Sequence, residues 1–181
     1  MRGLRLVAAA ALSAGLVVSS VSVATSSPDR SARTSTFVST VRDATRPFHS
    51  LATAKRAGYT TVLKTTTGQA CITNGAGDMG IHYVNGALLG DALLRIRKPE
   101  ALMYEPTPTG KKLVAVEWVV FRQAWLEAGH TGAPRLWGHR LNLVPAGNEF
   151  GVPAFYELHA WIWKANPSGM FYEWNPRVHC P

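Results

Sequence analysis

Apolar positions along this chain follow two periods, one after the other. Over residues 34–51, Phe37, Val41, Ala44, Phe48 and Leu51 recur at steps of three and four, the spacing of one helical face. Thr34 or Ser35 suits the start of that helix and Gly58 its end. Pro47 interrupts the stretch, and either kinks one long helix or opens a second. Beyond Gly58, short runs rich in Val, Thr, Ile, Tyr and Trp predict strands over 59–67, 80–84, 100–105, 112–121, 140–144 and 155–163. Four glycines mark 68–80 as loop, and a brief helical or irregular piece falls near 87–94. The segment 107–111 is Thr-Pro-Thr-Gly-Lys, turn chemistry that joins its neighbours into a hairpin, and 122–128 reads as one or two helical turns. A helix first and strands afterwards, without regular alternation, predicts an α+β fold. Its N-terminal helix would pack on one curved, mostly antiparallel sheet.

Polar exceptions inside the most apolar strands carry the chemistry. Leu113-Val114-Ala115-Val116-Glu117-Trp118-Val119-Val120-Phe121 is apolar on both faces, so Glu117 has no wet side to occupy. Phe155-Tyr156-Glu157-Leu158-His159-Ala160-Trp161-Ile162-Trp163 places Glu157 and His159 on one face, because side chains alternate along a strand. Phe155, Trp161 and Trp163 would flank them. His82 is the same kind of exception in its short strand, and His139 follows Trp137-Gly138. Buried acids and imidazoles are costly unless something pairs them. Imidazole nitrogen with carboxylate oxygen suits Zn, Mn or Fe(II), so His82, Glu117, Glu157 and His159 are candidate ligands for a divalent metal. Together with His139 and Trp161 they are also the candidate lining of a small-ligand pocket. The alternative is a non-catalytic envelope or interaction protein in which the same groups form a structural hydrogen-bond network. No catalytic residue is assigned: a Gly-x-Ser-x-Gly motif is absent, and the Gly-rich 75–80 stretch lacks the lysine of a phosphate-binding loop. Any chemistry here would be metal-assisted or general acid–base.

The first residues change the picture of where the chain works. Arg2 and Arg5, the apolar stretch 6–18 and Ser22-Val23-Ala24 read as a secretory signal cut after Ala24. No later apolar segment is long enough to span a membrane. Removing 24 residues from 181 leaves 157: a flexible lead-in over 25–33 and one domain over 34–181. The net charge of +8 drops to +6 as Arg2 and Arg5 leave, and the remaining basic residues are dispersed. That distribution excludes a nucleic-acid partner and leaves only weak attraction to an anionic envelope. Cys71 and Cys180, alone in an exported chain, predict a disulfide. Closing a loop of that length is worth up to about 4–5 kcal/mol.

Several segments resemble motifs of uncharacterised exported proteins of actinobacterial type. They are Met79-Gly80-Ile81-His82-Tyr83-Val84-Asn85, Glu100-Ala101-Leu102-Met103-Tyr104-Glu105-Pro106 and Val116-Glu117-Trp118-Val119-Val120. The others are Tyr156-Glu157-Leu158-His159-Ala160-Trp161-Ile162-Trp163, Asn166-Pro167-Ser168-Gly169-Met170-Phe171 and Trp174-Asn175-Pro176 with Cys180. The resemblance runs from about Phe48 onward and implies export. It carries no activity or catalytic residue to transfer, but places His82, Glu117, Glu157 and His159 inside recurring motifs.

Overall fold

The computed structural model describes residues 28–181, so the signal expected over 1–24 lies outside the described residues. Helix α1 spans Pro28–Thr45, starting six residues before the expected Thr34. Its Ser/Thr content is accommodated by back-bonding: the hydroxyls of Ser35 and Thr36 both donate to the Ala32 carbonyl. Phe37 and Val41, one turn apart, are buried on the sheet. Buried Thr45 closes that face. Its hydroxyl donates to the Val41 carbonyl at 2.8 Å and accepts from Trp163 Nε1 at 3.2 Å.

Pro47 breaks the helix. A 3₁₀ turn, Arg46–His49, takes up the proline, and α2 (Leu51–Arg56) starts anew with the Ser50 hydroxyl accepting from the Thr53 N–H. Strand β1 (Tyr59–Val62) follows and is shorter than the expected 59–67.

The stretch expected as a glycine-rich loop is instead a β-hairpin, β2 (Cys71–Asn74) and β3 (Gly77–Asn85). Its glycines serve close packing. A Cβ on Gly80 (φ 84°) would stand 2.6 Å from the Tyr104 carbonyl oxygen, and one on Gly77 (φ 140°) 2.6 Å from the Asn175 backbone. Glycine within a strand commonly marks such an approach. Asn85 then caps α3 (Gly86–Leu89), its side-chain oxygen accepting from the Ala87 and Leu88 amides.

Strands β4 (Ala101–Thr107) and β5 (Gly110–Phe121) form the expected hairpin, and α4 (Arg122–Glu127) follows. The expected strand 140–144 is divided. Strands β6 (Arg135–Leu136) and β7 (His139–Arg140) make a separate two-stranded ribbon, while β8 (Asn142–Val144) joins the main sheet beside β9 (Phe155–Ala160). The main sheet runs β1-β3-β4-β5-β9-β8 with β2 also on β3. Every pairing is antiparallel, and the sheet curls without closing.

Alternation sorts the core onto two faces. Leu102, Tyr104, Val116, Trp118, Tyr156 and Leu158 point to the helical layer, where Phe37 meets Trp118 with ring centroids 5.8 Å apart. Met103, Ala115 and Trp161 belong to a second cluster with Ile72, Met79 and Val178. Strand β5 is buried from Leu113 through Trp118, the central position its two apolar faces predict.

The C-terminal tail is tied back over the β2–β3 hairpin. Cys71 and Cys180 are disulfide-bonded with Cα atoms 5.7 Å apart, the Cys180 amide donates to Asp78, and Asp78 bridges to Asn175. No helix among the described residues is long and apolar enough to cross a membrane.

Candidate functional site

Strand pairing brings the polar exceptions together on the face away from α1. Val84 pairs with Ala101, Ala101 with Glu117, and Glu117 with His159, so these four form one row across β3, β4, β5 and β9. His82 lies two residues before Val84, and Glu157 two before His159, both on the same face. His82 and Glu117 sit on strands separated by β4, His82 opposite Met103 and Glu117 opposite Ala101, and meet diagonally across it. A side chain no larger than a methyl at 101 leaves that space open.

The resulting geometry is compact. His82 Nε2 is 3.8 Å from Glu117 Oε2, and His159 Nε2 is 3.9 Å from Glu117 Oε1. One ligating atom from each of His82, Glu117 and His159 lies within 4.8 Å of the others. His159 Nδ1 is 4.0 Å from Glu157 Oε1, and the two imidazoles stand edge to face with centroids 5.9 Å apart. None of these separations is a hydrogen bond. Neither ring nitrogen of His159 has a hydrogen-bond partner among the described residues, nor does His82 Nδ1. Buried polar atoms are rarely left this way.

Burial sets the protonation states. It pulls His82 down to about 4 and, aided by the neighbouring His82, pulls His159 down to about 3. Both rings are therefore neutral at physiological pH, the form that binds a metal. Burial pushes the Glu117 and Glu157 carboxyls up. The charge of Glu117 adds to the rise at Glu157, so Glu157 holds the proton and donates to Glu117.

Above this cluster the same face forms an apolar pocket of about 70 Å³. Val84, Val119, Phe121 and Phe155, each on the strand of a polar residue below, make its walls with Leu63 and Phe150. His82, Glu117 and Glu157 line its floor.

Two expected pocket residues lie elsewhere. His139, on β7, packs against Phe171 with centroids 3.9 Å apart and beside Phe37, in the helical layer. Trp161 stands beyond the end of β9, which stops at Ala160 rather than 163, and its Nε1 donates to the Tyr172 carbonyl at 2.6 Å. It packs with the second apolar cluster and is not a pocket wall. Trp163 goes to the opposite side, against Thr45 and Arg42. The cause is a turn: the Ile162 amide donates back to Ala160, and the Trp163 and Lys164 amides share the Val114 carbonyl. The alternation expected through Trp163 is lost there.

Glu173 and Glu100 were missed by sequence reasoning. Glu173 hydrogen-bonds Glu157 and is held by the Asn142 side-chain amide at 3.3 Å, which links the buried acids to the tail. It sits in a segment without periodicity, and only the disulfide, which returns the tail to the sheet, hinted at its position. Glu100 is fully buried; one oxygen accepts from the Val119 amide and the other has no partner among the described residues. Burial raises its carboxyl to about 8. It was expected to open the strand 100–105 but stands one residue before β4, with no pattern to distinguish it.

Compared with known protein families, curated proteins and solved structures, the chain matches none.

Proposed function

We propose that this protein is exported and binds a divalent metal ion, Zn, Mn or Fe(II), through His82, Glu117 and His159. The observation that carries this reading is His159: a wholly buried, neutral imidazole whose two nitrogens have no protein partner among the described residues, beside a carboxylate and a second buried, neutral imidazole. An ion among the three would supply the missing partner. Two ligand atoms each about 2.1 Å from one tetrahedral ion stand about 3.4 Å apart. The observed 3.8 and 3.9 Å separations run to different oxygens of Glu117, and one ligating atom from each of the three residues lies within 4.8 Å of the others, so the cluster closes by up to about 1.4 Å around an ion. Three protein ligands leave a position for water or a small molecule, the arrangement of a reactive rather than a purely structural ion. Glu157 then serves as a neighbouring acid that holds and passes a proton.

Export is supported by the signal-like first residues, the Cys71–Cys180 disulfide and the resemblance of the strand motifs to exported proteins of actinobacterial type. The competing reading, a structural polar network, draws on the hydrogen bond from Glu157 to Glu117. Thermal unfolding with added metal separates the two. Zn, Co or Mn at a hundred times its dissociation constant adds about 2.7 kcal/mol. For a domain of this size that raises Tm by about 5–10 °C. The rise is expected in the wild type and not in His82→Ala or His159→Ala; equal melting with and without metal favours the network.

A further inference from the structure

The pocket walls say what the open position of this ion would take, an inference that rests on the metal reading above. We propose that the ligand is a short apolar carboxylate, its head on the ion held by His82, Glu117 and His159 and its tail against Val84, Val119, Phe121 and Phe155. Three observations converge on that class. First, apart from His82, Glu117 and Glu157 the pocket is lined by apolar side chains alone, with no other charged or hydrogen-bonding side chain. Sugars, nucleotides and peptides, which need donors and acceptors around their edges, find none here, whereas an aliphatic tail does. Second, the volume is small. The cavity of about 70 Å³ is roughly half the ~150 Å³ cavity that takes benzene, which limits the enclosed tail to a few carbons. Third, the floor favours an anionic head. A doubly charged ion with one carboxylate and two neutral imidazoles keeps a positive charge, which an anionic head neutralises. A carboxylate head supplies that negative charge; a neutral alcohol or amine does not.

The test uses the full mature protein loaded with Co(II), whose visible spectrum reports its coordination. Acetate, propionate, butyrate, valerate and octanoate are titrated in turn, with butyramide as the uncharged control. Saturable spectral change is expected with affinity rising about three- to fourfold per methylene up to butyrate or valerate. Octanoate should gain nothing further, and butyramide should bind at least tenfold more weakly than butyrate. Val119→Trp, which fills the pocket beside Glu117, should keep Co(II) affinity and abolish the response to butyrate. The chain-length series in the wild type decides the matter even where that variant does not fold. Equal affinity for acetate and butyrate, or a spectrum indifferent to all of them, overturns the carboxylate proposal while leaving the metal site standing. Failure of Co(II) to bind overturns both.

Discussion

Replacing His159 by leucine, a side chain of similar size, should stabilise the metal-free protein, and more so in acid. At neutral pH the ring is uncharged and both nitrogens lack partners. A buried unsatisfied polar group costs about 1–3 kcal/mol, and an imperfect fit of the new side chain returns up to about 1.5 kcal/mol. The net gain at pH 7 is therefore about 1 kcal/mol. The pH term follows from a folded pKa of about 3 against an ordinary 6.5. Because the folded value is lowered, the unfolded chain takes up the proton first, and stability is lost as pH falls from 6.5 toward 3. At pH 5 that loss is about 2 kcal/mol for this one ring. His159→Leu removes it, so its advantage should grow from about 1 kcal/mol at pH 7 to about 3 at pH 5. Urea unfolding of both proteins with chelator present, at pH 7, 6 and 5, measures the difference. A His159→Leu variant less stable than wild type by 2 kcal/mol or more at every pH would refute the reasoning. It would mean that the ring earns its place through hydrogen bonds in the native network.

Other consequences are equally measurable. Glu100, raised to about 8 by burial, holds its proton in the fold while the unfolded chain releases it near 4.5, so stability drains away as pH rises between those values. Glu100→Gln keeps an acceptor for the Val119 amide and should gain on the order of 3 kcal/mol at pH 8, with little change at pH 4.5; an unchanged pH profile counts against a buried neutral acid. Ala101→Leu should wedge His82 from Glu117, cost about 1–3 kcal/mol and lower metal affinity at least tenfold, whereas unaltered metal binding would show that the space above β4 is not needed. Substituting Cys71 and Cys180 together by alanine opens the link across 109 residues and should cost about 4–5 kcal/mol, roughly 10–15 °C in Tm. A loss below 1 kcal/mol would mean that the Asp78 and Asn175 contacts hold the tail unaided.

Much of the site was legible residue by residue. Glu117 stood out because its strand is apolar on both faces, and Glu157 with His159 because period-two alternation puts them together. Their meeting was not legible: the adjacency of β5 with β9, and the placement of β4 between β3 and β5, rest on pairings distant in sequence. The small residue that lets His82 reach Glu117, Ala101, looks like any other strand alanine until that order is known. Local composition misled where tertiary contacts overrode it. Gly77 and Gly80 read as loop residues, yet they are glycines because the Asn175 and Tyr104 backbones pass too close for a side chain. Trp161 and Trp163 continued an apolar run whose strand had already ended at a turn. Glu173 and the histidine outlier His139 were placed by the tail and by the β6–β7 ribbon, neither of which carries a period.

The most direct test of the metal site is an anomalous difference map from crystals of the mature protein grown with Co(II) or Zn(II), collected on both sides of the metal's absorption edge. A single strong peak about 2.0–2.2 Å from His82 Nε2, a Glu117 oxygen and a His159 nitrogen is expected, absent in His159→Leu. A well-ordered His82–Glu117–His159 cluster without a peak, under metal concentrations that occupy surface histidines such as His130, would contradict it.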